Sequence, residues 1–187
     1  ASPRRGMLLA QNGLSYVRVE ADVNEDIPEG TDPQEAVKLL ALRKAQAGLT
    51  NWLSTGGSPQ DVVLGADTIV VLDGQILGKP ESDEDALQML RALSGRTHEV
   101  YTGVALLNGE GKHESEAICT KVTFRSLTTE EILDYIQTGE PQDKAGSYGI
   151  QGHGGKFVAH YEGSFSNVIG LPMEYIMERL SVWGIEA

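Results

Sequence analysis

The segment VVLGADTIVVL at 62–72 constrains this chain more than any other. In an extended backbone alternate side chains share a face, so Val63, Gly65, Asp67, Ile69 and Val71 line one side. The other side is apolar too, apart from Thr68. A strand apolar on both faces is one that is buried on both. An ionised carboxylate there is costly unless it is paired or bound to a metal, and such breaches of the burial rule concentrate at functional sites. Asp67 is therefore a candidate catalytic acid, with a structural salt bridge as the competing reading. The segment is too short to cross a bilayer and carries an acid besides.

With 187 residues the chain fits one large domain or two closely packed lobes. A chain of this length buries roughly 70% of its unfolded surface without needing a disulfide or metal staple. The single cysteine, Cys119, excludes an internal disulfide and a cysteine-built zinc site, and suits a reducing cytoplasm. The opening ASPRR has no apolar core, so no signal peptide is expected. Acidic residues outnumber basic ones 27 to 15, a net charge of −12. That balance opposes nucleic acid and anionic membrane as partners. It leaves room for a small polyphosphate, because a few focused cations and a divalent metal can outweigh the global field.

Ser2 and Pro3 open a short helix that Gly13 stops. Residues 14–20 read as a strand and 21–31 as an acidic loop. Asp32 and Pro33 start a second helix reaching about Gly48, with a loop over 50–61. The strand at 62–72, the turn Asp73-Gly74 and QILGKP make a hairpin. Ser82 with Asp85, and Thr128 with Glu131, are capping-box-like starts of helices ending near Gly95 and Gln137. Residues 97–107 and 116–126 are strand-like, with shorter strands near 156–161 and 165–169. A last helix runs from Pro172 to Trp183. Helices and strands mix without strict alternation, which gives an α/β or α+β class around a mixed, partly antiparallel sheet. Residues roughly 82–135 are the candidate second lobe.

Several side chains suit a phosphorylated ligand. Arg4 and Arg5 lie in the first helical turn, where they oppose the helix dipole and so invite another reason for their presence. Phosphate oxygens supply one; two solvated surface arginines are the plainer alternative. Val37, Leu40, Ala41 and Lys44 share one helical face, so Lys44 either snorkels to solvent or meets an anion. Lys79 and Glu25 are weaker, each lying in a polar segment. The stretch EPQDKAGSYGIQGHGG at 140–155 is glycine-rich and allows close backbone approach. Within it Gln151 has an amide able to donate and accept against a base edge. Asp143 and Lys144 add opposite charges. The four histidines show no zinc spacing, and neither GxxxxGKS/T nor GxSxG occurs. This set suits metal-assisted phosphoanhydride hydrolysis, in which charge stabilisation outweighs covalent catalysis.

SPRR at 2–5, LGADTIVV at 64–71, GKP at 78–80, SGRTHEVYTGVAL at 94–106 and EPQDKAGSYGIQG at 140–152 resemble the Maf family, in order and along essentially the whole chain. The resemblance implies an elongated mixed β-sheet with flanking helices, two lobes and a cleft, related to the inosine-triphosphate pyrophosphatases. It implies hydrolysis of a nucleoside triphosphate between its α- and β-phosphates with Mg²⁺, Mn²⁺ or a similar ion. By the same resemblance Asp67 is the catalytic acid and, with Glu25, holds the metal; Arg5, Lys44 and Lys79 bind phosphate. Arg4, Thr68 and Gln151 match the specificity positions of the dTTP/UTP-preferring branch. A homodimer is a family expectation. Modified or purine nucleotides, or a non-enzymatic role in septum formation, are the alternatives. Family members start with a short apolar strand and a serine before the SPRR-like motif, and this chain begins at Ala1, after that strand.

Overall fold

The computed structural model describes residues 2–187. Among them the chain forms α1 (Pro3–Gln11), α2 (Pro33–Ser54), β1 (Val63–Leu72), β2 (Gln75–Leu77), α3 (Asp83–Leu93) and β3 (Thr97–Leu107). There follow β4 (His113–Phe124), α4 (Thr129–Gln137), β5 (Val158–Glu162), α5 (Phe165–Ile169) and α6 (Met173–Val182). The strands bond in the order β2-β1-β3-β4-β5, and the pairings at both edges are antiparallel. Local chemistry sets most boundaries. Asp32 accepts from Gln34 N at the start of α2, Ser82 from Asp85 N at α3, and Thr128 with Glu131 forms a full capping box at α4. Asp73 and Gly74 both have positive φ (53° and 76°). They make the tight turn that sets Val71 opposite Ile76.

Four local expectations fail for identifiable reasons. Residues 14–20 form no strand: their alternation supplies a face but no pairing edge, and Tyr16 and Val17 stay exposed. The helix expected to stop at Gly48 continues to Ser54. Gly48 is a buried packing position beside Val63, whereas the chain turns at Gly56 (φ 92°). Residues 165–169 are the helix α5 rather than a strand, because the Ser164 hydroxyl accepts from Asn167 N at 3.2 Å and caps a helical turn. Ser2 stands at the N-cap of α1 without a side-chain capping bond.

The chain divides into two compact units, one of residues 1–67, 102–118 and 170–187, the other of 68–101 and 119–169. In the first, α2 lies directly on strand backbone. A Cβ at Gly65 would come 2.7 Å from Ala45 N and 2.8 Å from its Cβ, and one at Gly103 would fall inside the Val37 carbonyl. Ala41, Ala45, Ala105 and Leu107 fill the remaining contact. In the second, α3 and α4 contribute Leu90, Leu93, Ile132 and Tyr135 to a core shared with Val100, Phe124, Tyr148 and Phe157.

His98 sits in that second core, 1% exposed, edge-on to Phe124 and Tyr148. Its Nε2 lies 2.7 Å from the Tyr148 hydroxyl, and its Nδ1 has no hydrogen-bond partner among the described residues. Burial pulls its pKa down to about 4. An unfolded chain takes up this proton near pH 6.5, so between those values only the unfolded state is charged. Stability should be full above about pH 6.5 and fall by up to about 3 kcal/mol as the pH drops toward 4. Denaturant titrations at pH 7.5 and 4.5 check this. His98→Gln should flatten the slope, and an equal acid loss in both proteins would clear His98 as its source.

Candidate active site

Asp67 lies on the face of β1 that α2 covers, and the two elements run in register. Gly48 meets Val63, Ala41 and Ala45 meet Gly65, and Lys44 meets Asp67. The Lys44 ammonium donates to Asp67 Oδ1 at 2.7 Å, with the carboxylate side chain only 13% exposed. Strand and helix thus answer each other's anomaly: the acid in the apolar strand faces the lysine on the apolar stripe. Glu25, far more exposed, reaches the same ammonium at 3.6 Å. Arg43 steadies the acidic loop that carries it by donating to the carbonyls of Asn24 and Asp26 at 2.9 and 2.7 Å.

Arg5 joins this group from α1. Its Nε donates to Gly170 O at 2.8 Å, and Gly170 adopts φ 143°, a conformation reserved for glycine. Its pKa is pulled below the ordinary guanidinium value, by burial first, with Asp67 opposing and Arg4 adding to the fall. A guanidinium desolvated in this way gains from an incoming anion. Arg4, half-buried, lies one residue back on the helix. The structure therefore brings Arg4, Arg5, Glu25, Lys44 and Asp67 into one unit.

Thr68, Lys79 and Gln151 fall in the other unit. Thr68 is half-buried on β1, next to Asp67 in sequence and on the opposite face; Lys79 and Gln151 are exposed. Gly146 N donates to Gly78 O at 3.1 Å, which ties the Lys79 segment to the glycine-rich stretch carrying Gln151. Asp143 and Lys144 pair with each other at 2.9 Å, and the lysine also donates to Glu140 O. What sequence reasoning missed is the close approach that makes the site. Gly65 and Gly103 interrupt apolar strands, and a strand glycine is itself a signal of backbone contact.

In this α/β protein an acid at the edge of burial thus meets the Lys44 ammonium of α2 and acts on the Arg5 guanidinium of α1, cations of a kind that can take phosphate oxygens. The Maf-like protein family profile matches residues 1–183, and the chain belongs to that family. It is 69% identical over 185 residues to a dTTP/UTP pyrophosphatase of Desulfitobacterium hafniense, covering 99% of this chain and 83% of the relative. A protein of the same name from Pseudoalteromonas atlantica is 49% identical, over 96% of this chain and 92% of the relative. A solved nucleoside-triphosphatase / dITP/XTP pyrophosphatase of Mycobacterium abscessus aligns over 67% of this chain and 71% of its own. Its TM-score is 0.39 at 18% identity, a likeness too small to bear on function. No helix among the described residues is long and apolar enough to cross a membrane.

Proposed function

We propose that this chain hydrolyses nucleoside triphosphates, dTTP and UTP foremost, to the monophosphate and pyrophosphate. The observation that carries the reading is the Lys44–Asp67 contact at 2.7 Å, with Arg5 close enough for Asp67 to act on its pKa. The family match and the names of the relatives supply the substrate class. In this reading the cations meet phosphate oxygens, and Lys44 exchanges Asp67 for one of them. The released Asp67 oxygen then accepts a proton from water as that water attacks the α-phosphorus. The bond to the bridging oxygen breaks, and pyrophosphate leaves with its charge met by Arg5, Lys44 and Lys79. Arg4, Thr68 and Gln151 set the preference among bases.

The donor set fits a hard divalent cation. Asp67 and Glu25 already share one positive charge, the Lys44 ammonium, at 2.7 and 3.6 Å. Mg²⁺ and Mn²⁺ take oxygen ligands and are commonly held by one or two carboxylates plus substrate phosphates. No group of three or more candidate metal-binding side chains occurs among the described residues, so the remaining ligands would be phosphate oxygens and water. When bound, such an ion neutralises phosphate charge and acidifies water.

The test is a panel of dTTP, UTP, dCTP, ITP and a methylated GTP with Mg²⁺ or Mn²⁺, assayed for monophosphate and pyrophosphate. Equal amounts of both products, formed fastest from dTTP and UTP, are expected. No release from any nucleotide by a folded, metal-supplied protein would sink the enzyme and favour the septum-formation role. Gln151→Ala should lower the preference for UTP over CTP by roughly tenfold to a hundredfold, since a lost base contact leaves polar groups unpaired. Its kcat should suffer much less. An unchanged substrate profile would show that Gln151 does not read the base.

A further inference from the structure

The stretch that carries Gln151 is held by a side chain the cleavage chemistry does not use. Glu140 follows Gly139, whose φ of 78° turns the chain out of α4. Its carboxylate accepts from the Tyr135 hydroxyl, from His153 N at 3.0 Å and from Gly154 N at 3.1 Å. The Tyr135 oxygen in turn accepts from Gly149 N at 3.1 Å. Residues 149 and 153–154 flank Gln151, so both stems of its turn end on one Tyr135–Glu140 pair. That pair is anchored: Tyr135 is 2% exposed and packs edge-on against Phe157, ring centres 4.9 Å apart.

The glycines of this stretch follow from the same contact. A Cβ at Gly152 would fall inside the Glu140 carboxylate, and one at Gly154 would lie 2.8 Å from the Tyr135 oxygen. The backbone can pass over the pair only without side chains. Burial raises the Glu140 pKa, but the Tyr135, Gly154 and His153 hydrogen bonds and the Lys144 charge bring it below its ordinary value. At neutral pH an ionised carboxylate therefore gathers the backbone N–H groups that the glycine-rich chain presents.

We propose that Glu140 is the positioning residue of the base-reading turn: acting through Tyr135, His153 N and Gly154 N, it sets the backbone from which Gln151 meets the nucleobase. This rests on the base-reading role given to Gln151 above. Glu140 touches no substrate; its effect is to pre-order a turn that would otherwise be ordered on binding. Loss of the carboxylate therefore weakens recognition of the base more than the cleavage step.

Glu140→Ala, Gln151→Ala and the double variant, made in the full chain, test this with two readouts. The first is amide hydrogen exchange at Gly149, His153 and Gly154; the second is KM and kcat for UTP and CTP. In Glu140→Ala, exchange should speed by roughly tenfold or more at these amides. The UTP KM should rise roughly tenfold while kcat falls less than about threefold. The double variant should resemble Gln151→Ala alone, because the two residues act as one unit. Glu140→Gln, which keeps an acceptor oxygen for the backbone, should recover much of the KM. If Glu140→Ala does not fold, Tyr135→Phe, which removes the Gly149 acceptor, is carried through the same cycle. An unchanged KM, a fall in kcat at constant KM, or multiplied effects in the double variant would overturn the proposal. Loosened amides together with a Gln151→Ala protein that keeps its base preference would instead sink the base-reading role itself, and with it the consequence for KM.

Discussion

Asp67→Asn should cut pyrophosphate release by about a thousandfold or more, the scale set by losing a group that acts in the transition state. The amide has the carboxylate's shape but neither its basicity nor its charge, so it cannot take the proton from water and holds a divalent cation far more weakly. Stability should hardly move. The Lys44–Asp67 pair is short, at 2.7 Å, but the lysine side chain is 25% exposed. Removing the negative partner therefore leaves an ammonium that water still reaches. Partly solvated pairs of this kind are worth roughly 0–1 kcal/mol, a shift of a few degrees at most in a chain of this size. Activity and stability are thus predicted to separate. Turnover within about tenfold of the unaltered protein would remove Asp67 from the chemistry. A collapse in melting temperature would return it to the structural salt-bridge reading.

The opposite behaviour is expected at the glycines under α2. Gly103→Ala sets a methyl inside the Val37 carbonyl and 2.9 Å from Lys38 N; Gly65→Ala sets one 2.7 Å from Ala45 N. These obstacles are helix backbone, which no rotamer change relieves. Overpacking of this kind costs about 1–3 kcal/mol or more, which lowers the melting temperature by roughly 3–12 °C. The helix must lift to make room, and Lys44 lifts with it. Displacement near 1 Å of a group at the chemistry costs about a hundredfold in rate. Stability and kcat/KM should fall together in both variants. Gly48→Ala is the control. Its Cβ would meet only Val63 at 3.4 Å, and alanine favours a helix interior over glycine by about 1 kcal/mol, so it should be neutral or mildly stabilising. A Gly103→Ala protein that melts with the unaltered chain would show that the helix does not rest on the strand as described.

Two anomalies pointed at the site in the sequence. Asp67 broke the apolar pattern of a strand and Lys44 broke that of a helix. Each could be read as functional because burial makes an unanswered charge expensive. The glycine-rich stretch at 140–155 showed in its composition a backbone free to approach another group closely, but its anchor was not legible. Glu140 and Tyr135 look like ordinary surface and helix residues until the fold brings them under the turn. Gly65 and Gly103 carried the clearest unused signal, since strand interiors tolerate glycine where another backbone approaches.

What the sequence determined by itself lies within a few residues of its cause. The capped starts of α2, α3 and α4, the Asp73-Gly74 turn and the doubly apolar β1 follow from contacts between near neighbours. The family, too, was readable from motifs in order along the chain. Tertiary structure alone decided that Lys44 answers Asp67 across 23 residues. It left 14–20 without a strand partner and tied both sides of the Gln151 turn to one Tyr135–Glu140 pair. Periodicity states which face a residue occupies, whereas the charge or backbone that face will meet depends on how closely two elements pack. Here that distance is set by glycines and alanines far apart in the chain, whose small size has meaning only once the helix lies on the strands.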